Sequence, residues 1–341
     1  MTINHCTLAA LLTLTVGCDD PEPAQTDLIE GTTRRTPAEW EPQAAVWLQW
    51  PSMWEGGAVQ DSFVEIVRAT APYERINLVA GSTTTQSRGE EALAGITGDI
   101  TWHVIDTDSS WMRDNGPRYV EVDGQLVIQN WEFNGWGGGF GNVPYDDDNA
   151  MTDVLADMLA LPLEQVSLIH ERGDLEVNGT DTAMVSWSVL SQRNPELSQD
   201  EITQQLQEAL GVTSVIYLEG FDPYDGTRGH VDGMARFISE DTIVVGENGT
   251  QLLEDIATQI ADQRPDLNLI RMSYSSDMDP YMNWLVGDGF VITGSGSDDA
   301  AARKHIETYF PGRAVHFVDI GALWRNGGGV HCVTNDQPEA P

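Results

Sequence analysis

The sequence predicts an α/β protein assembled from a repeated strand-and-helix module. Three observations predict it. Short apolar runs of strand length alternate with amphipathic helical stretches from about residue 34 onward. The last four helix starts recur about every fifty residues. Polar loops rich in Gly, Asp and Trp separate the elements, as expected where a rigid scaffold carries chemistry on its connections. A near-constant period points to modules around a centre rather than an open doubly wound sheet, and five of them make one domain. Evenly spaced α/β alternation gives the same pattern, so the period alone leaves both arrangements open.

Taken in order, Ala44–Trp50 is the first strand expected, followed by a helix starting near Asp61 and a strand over Ile76–Ala80. An extra helical stretch near Thr84–Ala94 precedes the strand Ile100–Ile105, so the distance to the next helix start, near Asn149, exceeds the period. Val166–Ile169 is a strand. The helix after it is marked by Ser198 and Glu201, the two ends of a capping box, with Ile202, Leu206, Ala209 and Leu210 on one face and Gly211 as its stop. Strands over Val215–Leu218 and Thr242–Val245, a helix from Thr250, a strand Phe290–Thr293, a helix from Ser297 and a strand Ala314–Val318 complete the pattern.

Ahead of this body, Leu8–Val16 is an apolar run too short to span a bilayer, followed by Gly17, Cys18 and an acidic Pro-containing stretch. Residues 1–17 read as a signal peptide, with Cys18 as the acceptor of a lipid in an exported, cell-envelope form. Without a true signal the protein is cytoplasmic. Residues 18–33 read as a polar linker and 34–341 as the catalytic domain. Cys6 and Cys18 lie in the leader region and Cys332 is the one cysteine of the body, so no disulfide within the body is expected.

The formal net charge is −37, from 54 acidic against 17 basic residues, with Lys304 the lone lysine. No basic cluster exists to displace counterions from a phosphate backbone, which excludes nucleic acid, and an anionic membrane surface is excluded except through a lipid anchor. A small cationic partner is compatible.

Three loops hold the candidate chemistry. In Asp108–Pro117, Asp114 offers two acceptor oxygens and Trp111 an aromatic wall suited to a planar cation, although Asp-Asn-Gly-Pro is also a good turn. In Thr227–Gly233, an extended chain puts His230 and Asp232 on one side, a proton carrier beside a carboxylate. The rival reading is half of a metal site, completed by His331. In Gly327–Cys332, three glycines permit close backbone approach and present a thiol that is either a nucleophile or a small core residue. Together they provide what attack on a guanidinium carbon requires.

The motifs Pro37–Pro42, Val46–Pro51, Trp111–Pro117, Trp131–Gly138, Leu175–Gly179, Gly229–Asp232 and Val330–Cys332 occur in an order that closely resembles the agmatine deiminase family, that of Porphyromonas-type peptidylarginine deiminases. The resemblance runs from about Thr36 to Pro338. It implies a five-bladed α/β propeller of ββαβ modules, a central site and no metal or organic cofactor. It implies Cys332 as nucleophile, Asp114 and Asp232 as grips on the guanidinium, and His230 as general acid and base. Glu171 aligns with a carboxylate that contacts the histidine, and Trp136 becomes a further wall. The chain departs from the family at Arg172, where a glycine is usual.

The peptidyl enzymes resembled use arginines after the second motif to hold a substrate carboxylate. Here Phe133–Asp148 contains none, and ends in Asp146–Asp148. Agmatine, with its distal amine, is therefore the expected substrate, giving N-carbamoylputrescine and ammonia. C-terminal arginine in peptides is the alternative, which an exported location favours, and non-catalytic polyamine binding is a further one. The sequence assigns no oligomeric state.

Overall fold

Five sheets, each built on the same ββαβ unit, organise the described residues of the computed structural model, which are 27–341 apart from Trp54 and Asp277. The signal and lipidation expectations for residues 1–17 and Cys18 lie outside them.

The unit is plainest in the sheet Ala235–Ser239, Thr242–Glu247 and Asn268–Ser273. Its first two strands are antiparallel, and helix Gln251–Gln263 crosses over to a parallel third. The same order recurs with Leu175–Val177, Thr182–Ser186 and Ser214–Leu218, and with Leu285–Gly287, Phe290–Gly294 and Ala314–Val318. Arg118–Val122, Gln125–Glu132 and Leu163–Ile169 form another, with Arg34–Arg35 added at the edge. The remaining sheet pairs Thr334–Pro338 antiparallel with Gln43–Gln49, which then runs parallel to Ile76–Ala80 and through it to Ile100–Val104. Strands from opposite ends of the domain thus share one blade of a five-bladed α/β propeller.

Helix Gln199–Leu210 shows why the sequence folds so. Ser198 accepts from the Glu201 amide at 3.3 Å while the Glu201 carboxylate accepts from the Ser198 amide at 2.8 Å, which satisfies two otherwise orphaned donors. Ile202, Leu206, Ala209 and Leu210 are fully buried, each large side chain contributing about 1.5–3 kcal/mol, and Gly211 ends the helix at φ 72°. Helices sit between sheets: Leu253, Ile256 and Ile260 pack with Ile216 and Leu218 of one sheet and Ile243 and Val245 of the next. The apolar layers therefore lie between the sheets, while buried polar side chains bond across elements, Arg113 to Asp336, Arg236 to Glu176 and Asn335 to the Met112 carbonyl.

The strands fall where expected, within three residues at each end. The first long helix starts earlier, at Gly57, and the one expected near Asn149 is a turn at Asp146–Asn149 followed by Met151–Leu159. The helices expected from near Thr250 and Ser297 start at Gln251 and Asp299; Thr250 precedes the first without a side-chain cap bond, and Asp298 caps the second by accepting from the Ala301 amide at 3.0 Å. Residues 27–33, expected within the linker, dock on the body instead. Asp27 bridges Gln165, the Ile29 amide donates to Glu164, and Asp123 accepts from Thr32 and Thr33.

Candidate active site

Loops from several blades meet around Asp114 and Cys332, and glycine is what lets them meet. A Cβ on Gly328 would lie 2.5 Å from the Trp111 ring and 3.0 Å from Cys332 Sγ. One on Gly173 would lie 2.5 Å from Asp114 Oδ1 and 2.7 Å from His230 Nδ1. Both positions are closed to any side chain, so three loops can converge on the same carboxylate and imidazole.

Asp114 sits in a single helical turn, Met112–Asn115, and both its oxygens are engaged. Oδ2 accepts from Trp136 Nε1 at 2.8 Å and Oδ1 from the Gly173 amide at 3.1 Å. Burial drives its pKa up to about 6, against the pull of the His230 charge and the Trp136 hydrogen bond. Trp136 reaches it from a left-handed backbone position, φ 58°, held between the edges of Phe133 and Phe140.

His230 and Asp232 are not on a strand. The segment Val231–Gly233 is a 3₁₀ turn capped by His230, and the two side chains diverge to different partners. His230 Nδ1 is 3.6 Å from Asp114 Oδ1 and Nε2 is 3.5 Å from Glu171 Oε2. Burial alone would lower its pKa, but the Asp114 and Glu171 carboxylates override it and raise the imidazole to about 10. Glu171 is itself fixed by Arg193 Nε at 2.8 Å, and although burial acts to raise its pKa, His230 and Arg193 hold it down at about 2. Asp232 accepts from His331 Nδ1 at 2.8 Å and lies 3.6 Å from Cys332 Sγ. Burial opposes its charge, and the nearby His331, His230 and Arg236 still keep its pKa below the usual range.

Cys332 lies on a short helix, Val330–Val333, with Asn283 Nδ2 donating toward its sulfur at 3.3 Å. Burial first, then the charges of Asp232 and Asp114, push the thiol pKa well above its ordinary value. The resting thiol is therefore protonated. A cation placed between the two aspartates would cancel the charges that hold it so.

A cavity of about 230 Å³ opens over Cys332 and Asp114, walled by Trp111, Trp136 and Phe140. Two further carboxylates line it, Glu55 and Asp108, and among the described residues no Arg or Lys does. Glu55 is pinned by Ser110 Oγ at 2.6 Å and the Ser52 amide at 2.7 Å; Asp108 accepts from the Asp147 amide at 2.8 Å. Neither belongs to a motif, and only the fold brings them here. The Asp146–Asp148 run acts otherwise than expected. Asp148 is buried and braces the loop, accepting from the Asp108 amide, Gln49 Nε2 and Ser109 Oγ. Arg172 does not disturb the Glu171 loop, because its side chain turns away to Asp336, 2.8 Å, and Asn335, 2.6 Å.

The metal alternative finds no support in the packing. Among the described residues the group with carboxylate and imidazole atoms close enough for an ion is Glu39, Glu176 and His331, not His230 with Asp232. The Arg236 guanidinium already bonds both of its carboxylates, at 2.6 and 3.0 Å.

Propeller and site together define an enzyme class, hydrolases of carbon–nitrogen bonds in amidines. A profile of the Porphyromonas-type peptidyl-arginine deiminase family matches residues 35–338, and the chain belongs to that family. The chain is 28% identical to an agmatine deiminase of Pseudomonas aeruginosa over 89% of its own length and 95% of the relative's. The agmatine deiminase structure of Enterococcus faecalis superposes with a TM-score of 0.83 at 24% identity, covering 93% of this chain and all of that one. A C. jejuni agmatine deiminase in which serine replaces a cysteine, solved with substrate bound, gives 0.81 at 22% identity over 90% and 97%.

Proposed function

We propose that the protein hydrolyses agmatine to N-carbamoylputrescine and ammonia. The observation that carries the choice of substrate is the lining of the cavity: Asp114 and Cys332, the further carboxylates Glu55 and Asp108, and, among the described residues, no basic side chain for a carboxylate. A molecule with a guanidinium at one end and an amine at the other satisfies both groups of carboxylates. The names and substrate-bound state of the relatives support the same reading.

In this reading the guanidinium lies between Asp114 and Asp232, held in one plane by their oxygens. Its charge offsets theirs, which lowers the Cys332 pKa, and the thiol gives its proton to solvent. The thiolate attacks the guanidinium carbon and forms a C–S bond. One C–N bond then breaks, and His230, already protonated, donates its proton to the departing nitrogen, which leaves as ammonia. The remaining thiouronium is attacked by water at the same carbon. His230 takes up one of the water's protons, the C–S bond breaks, the second proton passes to solvent, and the neutral ureido product departs with the thiolate restored. Asn283 and Gly329, which donate to sulfur, help to hold that thiolate.

The test is ammonia release from agmatine, free arginine and peptides ending in arginine. Turnover of agmatine well above the other two is expected. Glu55→Gln with Asp108→Asn should raise the KM for agmatine about tenfold, and leave that for alkylguanidines lacking the amine unchanged. Preference for the peptides, or an equal effect on both substrates, would overturn the assignment. We further propose an exported, Cys18-lipidated form, supported by the Leu8–Val16 run before Gly17-Cys18. Fatty-acid labelling that persists in Cys18→Ala would refute it.

A further inference from the structure

His331 immediately precedes the nucleophile, is 1% exposed, and takes no part in the reaction steps above. Its ring lies between two carboxylates. Nδ1 is 2.8 Å from Asp232 Oδ2, while Nε2 is 2.8 Å from Glu39 Oε2 and 3.2 Å from Arg236 Nη2. The main chain around the ring is fixed as well: the His331 amide donates to Asn283 Oδ1 at 3.0 Å, and the His331 carbonyl accepts from Arg113 Nε at 3.2 Å. Glu39 belongs to the Pro37–Pro42 motif, so the ring ties that motif to the site.

Where the ring carries its proton decides what it does. Glu39 has other donors: Oε1 accepts from the Val286 amide at 2.7 Å and Oε2 from Arg236 Nη2 at 3.0 Å. Asp232 Oδ2 is poorer, because the Cys332 thiol beside it is 3.6 Å away. The Arg236 donor next to Nε2 favours a bare lone pair there. Burial, then the charges of Arg113 and Arg236, hold the His331 pKa well below its ordinary value, which leaves a neutral ring with one N–H. The competing form is an imidazolium bonded to both carboxylates.

The other grip on the guanidinium follows the same pattern. Asp114 is bonded by the Trp136 indole and the Gly173 amide, both uncharged, while the His230 cation stands off at 3.6 Å. Glu171, which does not grip the substrate, is bonded by the Arg193 cation at 2.8 Å. A cation bonded to a gripping carboxylate would cancel the charge that attracts the substrate. We infer that His331 is a positioning residue whose neutral ring, protonated on Nδ1, fixes Asp232 without adding a charge that competes with the substrate guanidinium for that carboxylate. This rests on the reading of Asp114 and Asp232 as a guanidinium clamp.

The experiment uses the full chain and methylguanidine, a probe of the guanidinium end alone. Asn carries an N–H donor about where His331 has Nδ1, and Gln about where it has Nε2. In a Cys332→Ser background, His331→Gln should weaken methylguanidine binding about thirtyfold by calorimetry, and His331→Asn only about threefold. With Cys332 in place, kcat/KM for agmatine should fall in the same order. Equal losses in the two variants, tracking their melting temperatures, would reduce His331 to packing and overturn the inference. Nitrogen-15 NMR of the parent, labelled in histidine, decides the matter even if neither variant folds. Of the two rings perturbed when methylguanidine binds, His230 should be an imidazolium and the other neutral with a protonated Nδ1. Two imidazoliums, or a neutral ring protonated on Nε2, would overturn it. A parent that neither binds methylguanidine nor releases ammonia from agmatine would refute the clamp itself, and the inference with it.

Discussion

Trp136→Phe isolates one hydrogen bond of the clamp. The phenyl ring keeps an aromatic wall beside Phe133 and Phe140 but loses the indole N–H that donates to Asp114 Oδ2 at 2.8 Å. A hydrogen bond to a charged acceptor contributes about 1.5–3 kcal/mol, and a shift of one pKa unit corresponds to about 1.4 kcal/mol. The bond favours the ionised carboxylate, so its loss raises the Asp114 pKa. The starting value is about 6, and the variant's should lie about one to two units higher. Agmatine binding requires the carboxylate, which is present above that pKa and lost as pH falls through it. The acid limb of kcat/KM, followed by ammonia release, should therefore move up by the same one to two units. At about pH 7 the variant would be about twofold to tenfold slower, and at about pH 9 within threefold of the parent. An acid limb that stays in place, or a rate lowered by one factor at every pH, would refute this account of how Asp114 is tuned.

Cys332→Ser should lower turnover by on the order of 10⁴-fold while agmatine still binds, measured by calorimetry alongside ammonia release. His230, held protonated up to about pH 10, should give an alkaline limb near that pH in the parent, and replacing Glu171 by Gln should move the limb down by removing a stabilising charge. Gly173→Ala should cost at least 100-fold in kcat/KM with an unchanged circular dichroism spectrum, since its Cβ collides with Asp114 and His230 rather than with the core. Leu206→Ala should do the reverse, losing about 2–5 kcal/mol in urea unfolding but leaving kcat intact.

Much of this architecture could be read from the sequence because its signals are local. The Ser198 capping box, the apolar face of its helix and the strand at Ile76–Ala80 each depend on neighbours a few residues away, and all appear as read. The motifs likewise brought Asp114, Glu171, His230, Asp232 and Cys332 into one site. What stayed hidden depends on contacts far apart in sequence. A His-x-Asp pair has the spacing of a strand face, yet the 3₁₀ turn at Val231–Gly233 sends His230 toward Glu171 and Asp232 toward His331. Nothing local marks Glu55 or Asn283. Asp148 looked like a charge awaiting a ligand and instead ties the Asp108 loop to Gln49. The docking of residues 27–33 rests on Asp123 and Glu164, which composition alone could not anticipate.

The pairing of Thr334–Pro338 with Gln43–Gln49 also has a temporal meaning. During synthesis Asp114, Glu171, His230 and Asp232 emerge well before Cys332, and the strand that seals the blade follows the thiol at once. A chain interrupted near residue 330 would hold every carboxylate of the clamp but neither the nucleophile nor the strand that fixes it. Chemical competence and completion of the propeller thus arrive within the same dozen residues. The thiol therefore emerges only when all but the last strand of the scaffold has been made, and the appearance of activity in a translation reaction becomes a clock for the pairing of that strand.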